Sequence, residues 1–163
     1  EIAIKAALTG HLVISTLHTN NAISSIMRMV DMGAEHYLLS GSIIAIQAQR
    51  LVRVICPHCK CEDKIPKETL QNLQDVLDKD SKIVFYTGSG CKECNETGYM
   101  GREMICEVLT ISHKMASLIA KGVSSELLHI QAKQEGFITL LENGIAKAIE
   151  GVTSLKEVIS VAK

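Results

Sequence analysis

The sequence has no tryptophan, two phenylalanines and three tyrosines among 163 residues. Its core must therefore be built from Ile, Leu, Val, Ala and Met rather than from aromatic anchors. Proline is nearly absent as well, with Pro57 and Pro66 both in one central stretch, so the flanking segments are free to form unbroken helices and strands. No charge of one sign dominates, since the formal net charge is −1, which argues against wholesale binding to nucleic acid or to an anionic membrane. No apolar run approaches the ~20 residues of a membrane span, and the start lacks the basic-then-apolar layout of a signal peptide. A glycine-rich phosphate cradle of the form G-x-x-x-x-G-K-[ST] is also missing. There is no initiator methionine, and Glu1 opens directly into helical EIAIKAALTG, so we expect a portion of a longer protein.

What is present is apolar content of 47%, enough to bury a real core. Three blocks differ in character: 1–55, 56–104 and 105–163. In the first, a helix carrying Ile2, Ala6 and Leu8 on one face ends at Gly10. HLVISTL then reads as a buried strand of a parallel sheet. Thr19 or Asn20 is placed to cap a helix whose apolar face is Ile23, Ile26, Met27 and Val30, closing at Gly33. A further helical stretch is expected over 36–49, followed by a short strand, LVRVI. The middle block is polar and punctuated, with a helix expected near Lys67–Leu77 and a glycine-rich return, TGSGCKECNETGYMG. The last block opens with an extended ICEVLTI. Helices near His113–Lys121, Ser125–Gln134 and Thr139–Glu150 follow, then SLKEVISVA behind a Thr153 or Ser154 cap.

Six cysteines in a chain without a secretion signal suggest a reducing compartment and thiolate chemistry before disulfides. Cys56-Pro57-His58-Cys59 and Cys91-Lys92-Glu93-Cys94 form two CxxC pairs. Two such knuckles supply four sulfurs, which satisfy tetrahedral Zn²⁺ and leave no open position, so the expected role is structural. The gap between the pairs is about twice the common ribbon spacing of roughly 15–20 residues, which an inserted helix accounts for. In CPHCKC, Cys61 competes with Cys59 as a ligand and His58 is a further substitute; a redox CxxC is the alternative use of either pair. Cys106 lies in an apolar strand and reads as a core residue.

Loops after parallel strands gather ligand-binding groups, because strand ends and helix N-termini converge there. His18, Thr19 and Asn20 occupy such an edge, whereas His11 lies at the opposite end of HLVISTL. The plain alternative for either histidine is a satisfied core or surface residue. Arg50 and Arg53, in QRLVR, offer planar, always-charged donors suited to phosphate; their alternative is a structural salt bridge.

Taken together, EIAIKAALTGHLVISTLHTNNA, QRLVRVICPHC, GCKECNETGYMGREMICEVL and QEGFITLLENGIAKAIEGVTSLKEVISV closely resemble, in the same order, the stretch after Walker B in secretion ATPases of type II secretion and type IV pilus assembly. The resemblance covers nearly the whole chain. It implies an α/β fold: the C-terminal part of a RecA-like P-loop ATPase domain (1–55), an inserted tetracysteine zinc subdomain (56–104), and a C-terminal strand with a helical subdomain (105–163). It implies a cytoplasmic homo-hexamer, peripherally associated with the inner membrane without inserting into it, contacting inner-membrane platform proteins and no nucleic acid. ATP and Mg²⁺ would serve the full-length protein, with zinc at Cys56, Cys59, Cys91 and Cys94. In that family a histidine box lies near the terminal phosphate, which makes His18 and then His11 the catalytic candidates. Thr19, Asn20, Arg50 and Arg53 are then the nucleotide-binding candidates.

Pilus retraction ATPases generally lack the four cysteines, so the resemblance favours the assembly type. Phe137, where the family usually has Met, and Cys106, where an aromatic is common, depart from the pattern without touching the proposed chemistry. The family's Walker A loop, Asp box and Walker B carboxylate precede the position of Glu1, so the chain alone is expected neither to hydrolyse ATP nor to bind it tightly. The competing reading is a non-enzymatic zinc-bearing interaction domain. A nucleic-acid-binding zinc ribbon fits poorly, because the knuckles lack clustered Lys and Arg with interleaved aromatics.

Overall fold

In the computed structural model, residues 2–73, 77 and 83–162 are described. The chain divides into two units, Glu1–Gln49 with Glu107–Thr139 and Arg50–Cys106 with Leu140–Lys163.

The first unit begins with helix α1 (Ile2–Leu8), which ends in a turn where the Gly10 amide donates to Ala7 O at 3.0 Å. HLVISTL is not a strand here, contrary to the sequence reading, and Leu12 and Ile14 are 80% and 87% exposed. β-branched composition supplies propensity, but a strand needs a ladder partner. Among the described residues the strands pair as β1 (Ala45–Ile55) with β4 (Tyr99–Thr110) and β2 (Lys60–Asp63) with β3 (Phe85–Gly88). That leaves residues 11–17 no partner.

Helix α2 (Ala22–Asp31) forms where its apolar spacing predicts, burying Ile23 and Ile26. Its cap is Asn21, not Thr19 or Asn20. Asn21 Oδ1 accepts the Ser24 amide at 2.7 Å, and Ser24 Oγ accepts the Asn21 amide at 3.2 Å. This reciprocal box satisfies two amides that a helix start leaves orphaned.

Helix α3 (His36–Ser42) is shorter than expected, because residues 45–49 belong to β1. The deciding pattern is period two: Ile46, Ala48, Arg50 and Val52 turn inward while Ala45, Gln47, Gln49 and Leu51 stay exposed. The second half of that strand is the predicted LVRVI. Helices α5 (His113–Ala120) and α6 (Ser125–Gln134) close the unit around Ile26, Leu39, Leu109, Met115, Ile119 and Leu128, all at most 2% exposed. Each such aliphatic contributes about 1.5–3 kcal/mol by burial. Phe137 joins this core with its ring edge-on to His129, centroids 6.5 Å apart.

The second unit packs helices α7 (Leu140–Ile149) and α8 (Leu155–Val161), the latter capped by Ser154, one of the two expected caps, with Phe85 of β3. Between β2 and β3, helix α4 covers Lys67–Gln71. The rest of the expected Lys67–Leu77 helix includes positions 74–76, which lie outside the described residues.

Candidate metal centre and the histidine loop

β2 and β3 run antiparallel, pairing Lys60 with Gly88 and Asp63 with Phe85. This places the residues just before β2 beside those just after β3, and both CxxC pairs flank that point. The first knuckle turns tightly, with the Cys59 amide donating to Cys56 O at 3.3 Å. The second is a single 3-10 turn, Lys92–Cys94, followed by Asn95 and Glu96 in left-handed backbone. Across the gap the Ser89 amide donates to Cys59 O at 3.0 Å, and the Cys56 amide donates to Gly98 O at 3.0 Å.

All four sulfurs lie within 4.8 Å of one another. Cys56–Cys91 and Cys59–Cys94 are 3.9 Å apart and Cys91–Cys94 3.7 Å. Four sulfurs at 2.3 Å from a tetrahedral zinc stand about 3.8 Å from each other, and these three separations match that spacing. The separations across the knuckles match the one within the second knuckle, which is not the geometry of an isolated redox pair. Cys61 pairs with Thr87 in the β2–β3 ladder, is exposed, and donates to Thr87 O at 3.7 Å. Neither it nor exposed His58 belongs to the four-sulfur group found among the described residues.

The thiols are unequal. Burial and the neighbouring thiols push Cys59 up to about 12, against a backbone hydrogen bond from Gly90. Burial also works against ionising Cys94, yet amide donors at Cys91 and Gly98 and the adjoining thiols of Cys91 and Cys59 bring it down to about 6. Four sulfurs this close cannot all ionise unaided, and a dication relieves that conflict.

Two residues that sequence reasoning passed over hold the knuckles together. Gly98 donates its amide to Cys94 Sγ at 3.2 Å and accepts the Cys56 amide at its carbonyl. A Cβ on Gly88 would lie 2.0 Å from Gly98 O. The only hint in the sequence was the glycine-rich return itself.

Arg53 is engaged as the structural alternative anticipated. Its guanidinium donates to Glu157 Oε1 at 2.5 Å, its amide donates to Glu157 Oε2 at 3.2 Å, and it lies 4.1 Å over the Tyr99 ring. Tyr99 Oη is 2.7 Å from Ser154 Oγ, and Thr153 Oγ1 donates to Arg53 O at 2.7 Å. The Arg53 hydrogen bond holds the Glu157 carboxyl below its ordinary range despite burial. A depressed carboxyl pKa stabilises the fold above the unfolded value of about 4.3 and loses that contribution as pH falls through the folded value. Urea midpoints of the wild type are therefore expected to drop below about pH 4.3. Glu157→Gln should flatten that part of the profile and cost about 1–2 kcal/mol at neutral pH. An unchanged acid slope in the variant would count against the assignment.

In the first unit His18 is exposed, and Thr19 Oγ1 lies 2.7 Å from the buried Ser25 Oγ. Asn20 is exposed and Asn21 caps α2. The Ala22 amide donates to Oε1 of buried Glu107 at 2.6 Å. His11 instead meets the end of α1, its Nδ1 3.1 Å from Thr9 Oγ1 and 3.3 Å from Ala6 O. Arg50 is half-buried on β1, in the second unit. Glu107 was missed although its position was legible, because period two puts it on the same inward face as Ile105 and Leu109.

A family profile described as type II/IV secretion system protein matches residues 1–160. The type IV pilus assembly ATPase PilB of Pseudomonas aeruginosa is 43% identical over 163 residues, covering all of this chain and 29% of that protein. PilB of Thermus thermophilus is 42% identical over 160 residues, 98% of this chain and 18% of its own length. The type II secretion system protein E of Klebsiella pneumoniae is 40% identical over 163 residues, all of this chain and 32% of its own. The chain thus spans between about a fifth and a third of the length of these relatives. It is an α/β chain whose four clustered cysteines could hold a metal ion, and among its described residues no helix is long and apolar enough to cross a membrane. With the match running along almost all of its length, the chain belongs to the type II/IV secretion system protein family.

Proposed function

We propose that this chain is the post-Walker B part of an assembly-type secretion ATPase, a RecA-like motor that works as a cytoplasmic homo-hexamer on inner-membrane platform proteins. The observation that carries this reading is identity of 40–43% sustained over essentially the whole chain to pilus assembly ATPases and to type II secretion protein E. Residues 1–55 then contribute to the ATPase core, 56–104 form the zinc subdomain, and 105–163 the C-terminal subdomain.

Cys56, Cys59, Cys91 and Cys94 would hold zinc in a closed set of thiolates that leaves no position for water. Its part is to fasten the knuckles, with no share in hydrolysis. ATP and Mg²⁺ belong to the full-length motor. There His18 faces the terminal phosphate, where an imidazole can donate to developing phosphoryl charge. Thr19 and Asn20 shape its loop, and His11 is a second candidate. Arg50 and Arg53 are the arginine candidates for phosphate, and Arg53 must give up Glu157 and Tyr99 to reach a nucleotide.

In the full-length protein, His18→Ala is expected to lower kcat for ATP on the order of 10²-fold, measured by phosphate release. The 163-residue chain alone, lacking the phosphate cradle, should show no turnover and no tight nucleotide binding. Stoichiometric ATPase activity in that chain, or wild-type kcat in His18→Ala, would sink the corresponding claim. The second reading, a zinc-bearing interaction domain, would be favoured if the full-length protein bound its platform partner but turned over no ATP.

A further inference from the structure

We propose that Glu107 is a positioning residue for the histidine loop: buried on β4, its carboxyl holds the first amide of α2 and so fixes the turn that carries His18. The proposal rests on the reading of His18 given above.

Glu107 is 4% exposed and sits between Ile105 and Leu109, which are 0% and 2% exposed. An inward carboxyl in an apolar strand is costly unless a polar partner meets it. One partner here is the Ala22 amide, 2.6 Å from Oε1, on a residue that is itself fully buried. The contact joins positions 85 residues apart in sequence, so it ties the start of α2 to the strand rather than to its own turn. Two further contacts pin the same loop: the Asn21–Ser24 box and the 2.7 Å approach of Thr19 Oγ1 to Ser25 Oγ, with Ser25 4% exposed. The backbone on the helix side of His18 is therefore anchored at three points while the imidazole stays exposed.

The amides of Ala22 and Ser24 already have acceptors in Glu107 and Asn21. A phosphate approaching this loop does not find those two amides open in the way a helix N-terminal cradle offers them, which gives more weight to the exposed His18 side chain as a donor there. A catalytic side chain displaced by about 1 Å can lose on the order of 10² in rate, which is why its mount matters.

The test uses the full-length ATPase with kcat and KM for ATP as readouts. Glu107→Ala is expected to lower kcat about tenfold while KM stays within about threefold. Glu107→Gln, which keeps an oxygen acceptor at the same reach, should restore most of the rate. The double variant with His18→Ala should be no slower than His18→Ala alone, because both changes act on one group. Should Glu107→Ala fail to assemble, Glu107→Asp, shorter by one methylene, takes its place and should lose rate where Glu107→Gln does not. Wild-type kcat in the Ala or Asp variant beside a crippled His18→Ala would overturn the proposal and leave the reading of His18 standing. Additive losses in the double variant would overturn it too, since Glu107 would then act elsewhere. Wild-type kcat in His18→Ala overturns that reading and this proposal with it.

Discussion

Replacing Cys94 with serine should abolish stoichiometric zinc binding and open the β2–β3 hairpin, while helices α5 and α6 of the other unit stay protected from hydrogen exchange. Little else holds the hairpin. Its two strands are four residues each, and an isolated two-stranded hairpin is marginal in water. No residue of β2 is buried, and Phe85 is the one buried residue of β3. The knuckles at its open end carry four crowded thiols whose mutual repulsion on ionisation only a cation can relieve.

In zinc-finger peptides structural zinc supplies about 10–16 kcal/mol of apparent binding free energy. Here the effect on the whole chain is smaller, because α7 and α8 keep their own core of Ile145, Ala148, Leu155 and Val158. Chelation should therefore loosen residues 56–63 and 85–98 without melting those helices outright. Cys56→Ser, Cys59→Ser and Cys91→Ser should behave alike, whereas Cys61→Ser should retain the metal, since Cys61 faces Thr87 in the ladder. Metal analysis of the purified variants, with hydrogen exchange on the same samples, decides it. Full zinc retention by Cys94→Ser, or loss with Cys61→Ser, would show that the ligand set is wrong.

Gly98→Ala should be nearly as damaging as losing a ligand, although it removes no sulfur. A Cβ there would lie 2.4 Å from Gly88 O and 2.9 Å from Gly88 C. Both obstacles are backbone, so no side-chain rotation relieves them. The residue also has φ of +76°, which adds about 1–2 kcal/mol for any L side chain. Movement of Gly98 would pull its amide from Cys94 Sγ and its carbonyl from the Cys56 amide, weakening both knuckles at once. We expect a loss of more than about 3 kcal/mol and a fall in zinc affinity of about 10–100-fold, the usual cost of losing a group that orients metal ligands.

Gly101→Ala is the matched control. Gly101 has φ of +78°, but nothing lies within 4 Å of its Cβ position, so it should show the backbone cost alone. Chelator competition and thermal unfolding on the two variants separate the effects. If Gly98→Ala proves no worse than Gly101→Ala, the close approach of Gly88 and Gly98 is not what holds the knuckles.

The sequence by itself determined what depends on neighbours along the chain. The CxxC pairs were legible because a knuckle needs two thiols at one spacing. Helices α5 to α8 were legible because apolar spacing and a serine cap at Ser154 lie within a few residues of each other. Tertiary structure decided whatever depends on partners far away in the chain. HLVISTL has the composition of a strand, but no ladder partner among the described residues, and composition cannot reveal that. The choice of Cys59 over Cys61 came from the register that puts Cys61 opposite Thr87. Arg53 found Glu157 from 104 positions away, and Glu107 found the Ala22 amide from 85. The four-cysteine set lies between these cases. Its two CxxC pairs could be read from spacing, but the four sulfurs come together only because an antiparallel pairing brings the ends of β2 and β3 together. Gly88 and Gly98 then let two backbones touch where any side chain would hold them apart.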